Sequence, residues 1–326
     1  MMNGQPVLDV QDLNVHIKTS KGVLHAVRDV SFKVHRGETL CLVGESGCGK
    51  SMTSLAIMGL LPKVAIRSTK RLALLDEDLT RASARRINDL RGHKMAMIFQ
   101  EPMTALNPAY TIGEQLAEHY RHHKNATAEQ ARKRSIELLE KVGIASAGQR
   151  LSQYPHQLSG GLRQRVMIAI ALMCEPELLI ADEPSTALDV TIQAQILRLL
   201  VDLQKELGLA MVLITHDLGV VARIANQVGV MYAGQVVETG TAEQLFSSPR
   251  HPYSNGLMSC IPIPGRTLAG GRLGTIPGVV PSLVGDLKGC SFRDRCAYAR
   301  QACEHTIPVY GNAGHSWRCI HESGVA

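Results

Sequence analysis

The chain has 326 residues, 45% of them hydrophobic and 20% charged, the balance of a folded globular protein, which excludes wholesale disorder. At ~150 residues per domain this length suggests about two domains, and no apolar run is long enough to span a bilayer. A net charge of +6 makes no case for nucleic acid, and with 4 Phe, 7 Tyr and 1 Trp no base-stacking platform is expected.

In chain order, Met1 to Leu13 has no basic stretch followed by an apolar one, so no secretory signal is expected. Thr39–Val43 reads as a buried strand and Ser51–Leu61 as a helix stopped by Pro62. From Arg85 to Cys174 there is no strand-like run after Phe99, and polar helices such as Ala128–Val142 predict a helical insertion. Leu178–Ala181 and Met211–Thr215 read as buried strands. Between them, Ile192, Ile196, Leu199, Leu200, Leu203 and Leu207 share one helical face, closed by Gly208. Val228–Tyr232 and Gln235–Thr239 predict a hairpin through Ala233-Gly234. This alternation up to Leu245 is the pattern of an α/β domain. From Phe246 to Cys290 six prolines and eight glycines predict an irregular extension. It leads to Cys290, Cys296, Cys303 and Cys319, half of the chain's eight cysteines.

Gly44-Glu-Ser-Gly-Cys-Gly-Lys50-Ser51 fits G-x-x-x-x-G-K-S/T, with a strand before it and a helix after it. Glycines let successive N–H groups curl inward around an anion at the positive end of a helix. Lys50 can reach the β- and γ-phosphates of a nucleotide and Ser51 can coordinate Mg2+. The alternative, a glycine-rich turn with an incidental lysine, does not account for that strand–loop–helix context. Leu178-Leu-Ile-Ala-Asp182-Glu183 ends a strand in two carboxylates: Asp182 suited to the Mg2+ shell, Glu183 to orienting or deprotonating water. Leu158-Ser159-Gly160-Gly161 opens a further helix and offers a second anion site.

The ordered set Lys50, Gln100, Ser159, Asp182-Glu183, Asp189 and His216 resembles the ATP-binding cassette (ABC) family over roughly residues 8 to 245. The resemblance implies a phosphate-loop ATPase fold, α/β with a helical subdomain, and ATP contacts at Gly44, Ser46, Gly47, Cys48, Gly49, Lys50, Ser51, Met52 and Gln100. It implies Mg2+ at Ser51, Gln100 and Asp182, with Glu183 and His216 catalytic. Leu158, Ser159, Gly160 and Gly161 would cap the nucleotide of a partner subunit, and Asp189 would be the D-loop residue. Asp189 also suits a helix N-cap, and His216 a structural histidine at a strand end. Two departures stand out: Leu162 replaces the usual Gln after the signature glycines, and no N-terminal aromatic is evident for stacking on adenine, leaving His16 or His25 as candidates.

His251-Pro252-Tyr253-Ser254, the run from Ile276 to Pro281 and the four late cysteines resemble the ATPase subunits of dipeptide and oligopeptide importers, the dipeptide type most closely. That resemblance implies a second, related ATPase subunit (a heterodimer in most such systems), two transmembrane permease subunits, an extracytoplasmic peptide-binding protein, and a peripheral place on the cytoplasmic face of the inner membrane. It also implies a 4Fe-4S cluster on Cys290, Cys296, Cys303 and Cys319. Their C-x5-C-x6-C-x15-C spacing lacks the C-x2-C knuckles of zinc ribbons; zinc and free thiols are the alternatives. A cluster there would staple the extension or act as a redox sensor. Cys48, near Lys50 and helix amides, is expected to have a lowered thiol pKa; Cys41, Cys174 and Cys260 read as core residues. The expected layout is an ATPase domain at 1–245, with its helical subdomain at about 101–174, and an extension at 246–326. The competing classes are a soluble ABC-type ATPase of DNA repair or translation and an importer of another solute such as a nickel chelate. Repair members carry long insertions between phosphate loop and signature, where only 106 residues (52–157) lie here.

Overall fold

The computed structural model describes residues 4–186, 188–260, 274–285, 287–312 and 314–321; the stretch of the expected irregular extension at 261–273 lies outside them. The chain divides into two compact units, one of Met1–Leu8, Val34–Glu38 and Leu74–Ile214, the other of Asp9–Lys33, Thr39–Ala73 and Thr215–Ala326.

The first unit carries three parallel strands, Met95–Ile98, Leu178–Asp182 and Ala210–Ile214, paired in that order. All fourteen of their residues are buried. This is why they read as unbroken apolar runs: parallel strands are covered on both faces. Among the described residues no strand interrupts 99–177. Helices Ile112–Lys124, Ala128–Lys141 and Gly160–Leu172 pack on one another there. Their starts are local: Thr111 with Glu114 and Thr127 with Gln130 form capping boxes, each satisfying two orphan donors. Helix Val190–Leu207 buries Ile196, Leu197, Leu200 and Leu203, and Gly208 ends it at φ 62°. Ile192 and Leu199, expected on that face, are only half-buried.

In the second unit, Gly22–Val34, Leu8–Thr19 and Arg71–Leu74 lie side by side, and Ala65–Ser68 pairs antiparallel with the middle strand. The strand Thr39–Val43 pairs parallel with Gln227–Tyr232, which turns back antiparallel into Gln235–Thr241. Ala233 (φ 49°) and Gly234 (φ 81°) make the two-residue turn of the expected hairpin. The helix after Thr39–Val43 runs Lys50–Met58, shorter than expected, because Gly59 adopts φ 65° and its N–H caps the Ala56 and Leu55 carbonyls before Pro62 is reached.

Within the stretch expected to be irregular, the described residues 274–285 and 287–290 hold no helix or strand. Pro252–Ser259 is helical, with His251 accepting the Tyr253 N–H at its start. His315–Trp317 then adds antiparallel to Gln235–Thr241, and Tyr310–Gly311 pairs with His315–Trp317. Among the described residues, no helix is long and apolar enough to cross a membrane.

Candidate nucleotide site

The phosphate loop leaves the buried strand Thr39–Val43 at Gly44. Gly44 has φ 152° and Gly49 φ 104°, and a Cβ on either would run into a backbone carbonyl oxygen, of Met231 and Ala26 respectively. Only glycine permits this curl. It is a main-chain cradle with Ser46 and Gly47 exposed and Gly49 as N-cap of the helix that Lys50 begins, a geometry that fits a phosphate group. The Lys50 side chain is buried, its Nζ donating to Gly44 O at 2.8 Å and Glu45 O at 3.1 Å. Ser51 and Met52 are half-buried on the first helical turn, where Thr53 Oγ1 donates to Gly49 O at 3.0 Å.

Cys48 departs from expectation. It is 1% exposed, and burial raises its thiol pKa against the opposing pull of Lys50. It is a core thiol rather than an activated one. Cys41 and Cys174 are buried as expected, while Cys260 is half-buried.

His216 is exposed, one residue before Asp217, whose carboxylate caps the helix Leu218–Ile224 by accepting the Val220 N–H. The rings of His16 and His25 meet edge-to-face, their centroids 4.7 Å apart.

In the other unit, Asp182 is buried at the end of Leu178–Asp182, and Glu183 follows at φ 45°. A positive φ at a residue other than glycine stores strain on the order of 1 kcal/mol or more, and such residues cluster at functional positions. The Glu183 carboxylate accepts from Gln100 Nε2 at 3.2 Å and Thr186 Oγ1 at 2.9 Å, while its N–H donates to Ile214 O at 3.0 Å. Two expected site residues, 83 positions apart, are thus brought together. Thr186 was missed; the only signal was a hydroxyl residue three positions after the carboxylate.

Ser159 is the N-cap of the signature helix Gly160–Leu172, its Oγ accepting the Leu162 N–H at 3.4 Å. Leu162 contributes its main chain to that cap, which any side chain allows. Leu158 is buried behind it, whereas Ser159 and Gly160 are exposed and Gly161 is half-buried. Asp189 occupies the N-cap position of Val190–Leu207, but its exposed side chain makes no capping hydrogen bond.

The 4Fe-4S expectation is overturned. Cys290, Cys296, Cys303 and Cys319 do line one small cavity together with His251, Phe292 and Tyr298. All four are free cysteines, and among the described residues no group of three or more His, Cys, Asp or Glu is placed to hold a metal ion. Burial pushes the Cys290 thiol up to about 11 and raises those of Cys296 and Cys319.

The loop geometry is that of a phosphate-loop nucleotide-binding protein. Comparison with known proteins carries this further. The pattern of the ABC transporter family matches residues 27–186, and that of the oligopeptide/dipeptide transporter C-terminal region matches residues 237–303. The dipeptide transport ATP-binding protein DppD of Bacillus subtilis (strain 168) is 49% identical over 305 residues, 93% of this chain and 90% of that protein. A putative peptide import ATP-binding protein of Brucella melitensis is 47% identical over 344 residues, covering 100% of both chains. A solved dimeric ATP-binding cassette in a post-hydrolysis state, bound to ADP and phosphate, aligns with a TM-score of 0.64 at 25% identity, over 72% of this chain and 98% of that one. The chain belongs to the ABC transporter family as an ATP-binding, ATP-hydrolysing subunit.

Proposed function

We propose that this chain couples ATP hydrolysis to the import of dipeptides or short oligopeptides, working beside a second ATPase subunit of similar build. Two permease subunits would form the pathway, fed by an extracytoplasmic peptide-binding protein, with this chain peripheral on the cytoplasmic face of the membrane. Support for the peptide class comes from the printed names of the relatives and the match at 237–303. That match also separates this reading from a repair or translation ATPase. The domain layout we favour remains an ATPase domain at 1–245, with its helical subdomain at about 101–174, followed by an extension at 246–326.

The roles assigned to the residues are those that likeness to the ABC family implies. The amides of Gly44 to Ser51 and the Lys50 ammonium bind the phosphates; Ser51, Gln100 and Asp182 are the residues that would hold Mg2+. Bound Mg2+ neutralises charge that develops on the transferred phosphoryl group. Glu183 accepts a proton from, or orients, the attacking water, and Gln100 and Thr186 keep its carboxylate aimed. His216 contacts the terminal phosphate, and Ser159, Gly160 and Gly161 present their amides to the nucleotide of the partner subunit, beside Asp189.

The single observation that carries the catalytic assignment is the strained Glu183 with its two hydrogen-bond donors. Glu183→Gln removes the basic oxygen and keeps the shape. The expected outcome is ATP affinity within about threefold of the parent chain and turnover reduced by roughly 10³. Hydrolysis at near-parent rates in the assembled transporter would reject the assignment.

A further inference from the structure

Glu45 is an odd residue to find in a loop that binds a polyanion. It stands second in the Gly44–Ser51 run, where an unpaired carboxylate would repel the phosphates that Lys50 and the loop amides attract. The structure shows how it is neutralised, and the counter-charge comes from 250 positions away. Arg295, in the cysteine-rich extension, closes a two-pronged pair on it: Nη1 donates to Glu45 Oε2 at 2.7 Å and Nη2 to Oε1 at 3.0 Å. The Glu45 N–H is tied to the same extension, donating to Tyr253 Oη at 2.8 Å.

The guanidinium is itself fully committed. Nε donates to Pro277 O at 2.8 Å, Nη2 also to Ile276 O at 3.2 Å, and Nη1 also to Tyr232 Oη at 3.3 Å, so all five N–H donors are in use. Its side chain is 4% exposed against 29% for Glu45, and it lies over the rings of Tyr232 and Phe292. Phe292 packs in turn on Tyr232 and Tyr253. A planar, always-charged fork held on every side fixes the position of whatever it grips. What it grips is the first turn of the phosphate loop.

We propose that Arg295 is a positioning residue of the ATP site: it cancels the Glu45 charge and holds the loop's first turn, so that the C-terminal extension sets the affinity of the chain for ATP. The inference rests on the ATPase reading above and adds a residue to it that lies outside the motifs of the ATPase domain.

The test uses the full-length chain for ATP·Mg binding and the assembled transporter for kinetics. Arg295→Met is expected to raise Kd and KM for ATP on the order of tenfold, with kcat within about twofold. Adding Glu45→Gln to Arg295→Met is expected to bring KM most of the way back, because no carboxylate is left to cancel. Arg295→Lys keeps a charge without the fork and is expected to fall between, at roughly threefold; it also serves if Arg295→Met fails to fold. Three results would overturn the proposal: an unchanged KM in Arg295→Met or, where that variant does not fold, in Arg295→Lys; a fall in melting temperature and active fraction with KM unmoved, the mark of a mere staple; or a raised KM that Glu45→Gln does not relieve. A parent chain with no affinity for ATP would instead sink the ATPase reading, and this proposal with it.

Discussion

The phosphate loop and the four-cysteine cluster are both motif-bearing stretches of one compact unit, and they met opposite fates. The loop forms the cradle its glycines imply, while the cysteines gather around one cavity without making a metal site. The difference lies in what each needs. A phosphate cradle is made of consecutive main-chain amides and a few left-handed dihedrals, so eight neighbouring residues suffice. A four-thiolate site needs side chains spread over thirty positions to converge on one point and to shed protons there. In the pocket they share with His251, Phe292 and Tyr298 the four are free thiols. The extension is nonetheless wired to the nucleotide loop, through Arg295 and Tyr253.

Gly49→Ala puts a Cβ against the Ala26 carbonyl oxygen at φ 104°, so the cradle must open. ATP affinity, measured by isothermal titration on the full chain, is expected to fall about 100-fold or more, with stability lowered by about 1–3 kcal/mol. Affinity within a few-fold of the parent would show that the loop does not depend on that backbone shape.

Glu238 tests whether the extension is integral or merely appended. Its buried carboxylate accepts the Arg250 and His251 N–H groups and His315 Nε2, each at 2.8 Å, joining the hairpin to both ends of the extension. Glu238→Gln leaves at least one of these donors poorly met. A loss of about 2 kcal/mol in urea unfolding is expected; an unchanged midpoint would make the extension an independent appendage.

A further test is in pH. Burial pushes His251 down to about 3 from its ordinary 6.5, so the folded chain holds it neutral while the unfolded chain protonates it below about pH 6.5. Stability from this group is therefore complete above pH 6.5 and declines as pH falls toward 3, at on the order of 1 kcal/mol per pH unit. His251→Gln is expected to flatten that part of the acid limb in denaturation curves at pH 7, 6 and 5, and identical slopes would count against it.

Much of the fold and candidate site was legible because it is local. Apolar runs marked the parallel strands, helical periodicity marked Ala128–Val142, and Ala233-Gly234 marked the hairpin turn. The spacing from Gly44 to Ser51 marked the loop, while the carbonyl oxygens that demand glycine at Gly44 and Gly49 come from Met231 and Ala26, elsewhere in the chain. What stayed hidden depends on residues far apart in the chain: the Gln100 contact with Glu183, the burial that reverses the expected pKa of Cys48, and the strands the extension adds beside Gln235–Thr241. The pairing of Glu45 with Arg295 belongs there too, because no propensity or spacing relates positions 250 apart; only packing around Tyr232 and Phe292 brings the guanidinium to the loop. Short-range sterics and main-chain hydrogen bonding can be read along a sequence. Desolvation and charge pairing are decided by which distant groups the fold makes neighbours.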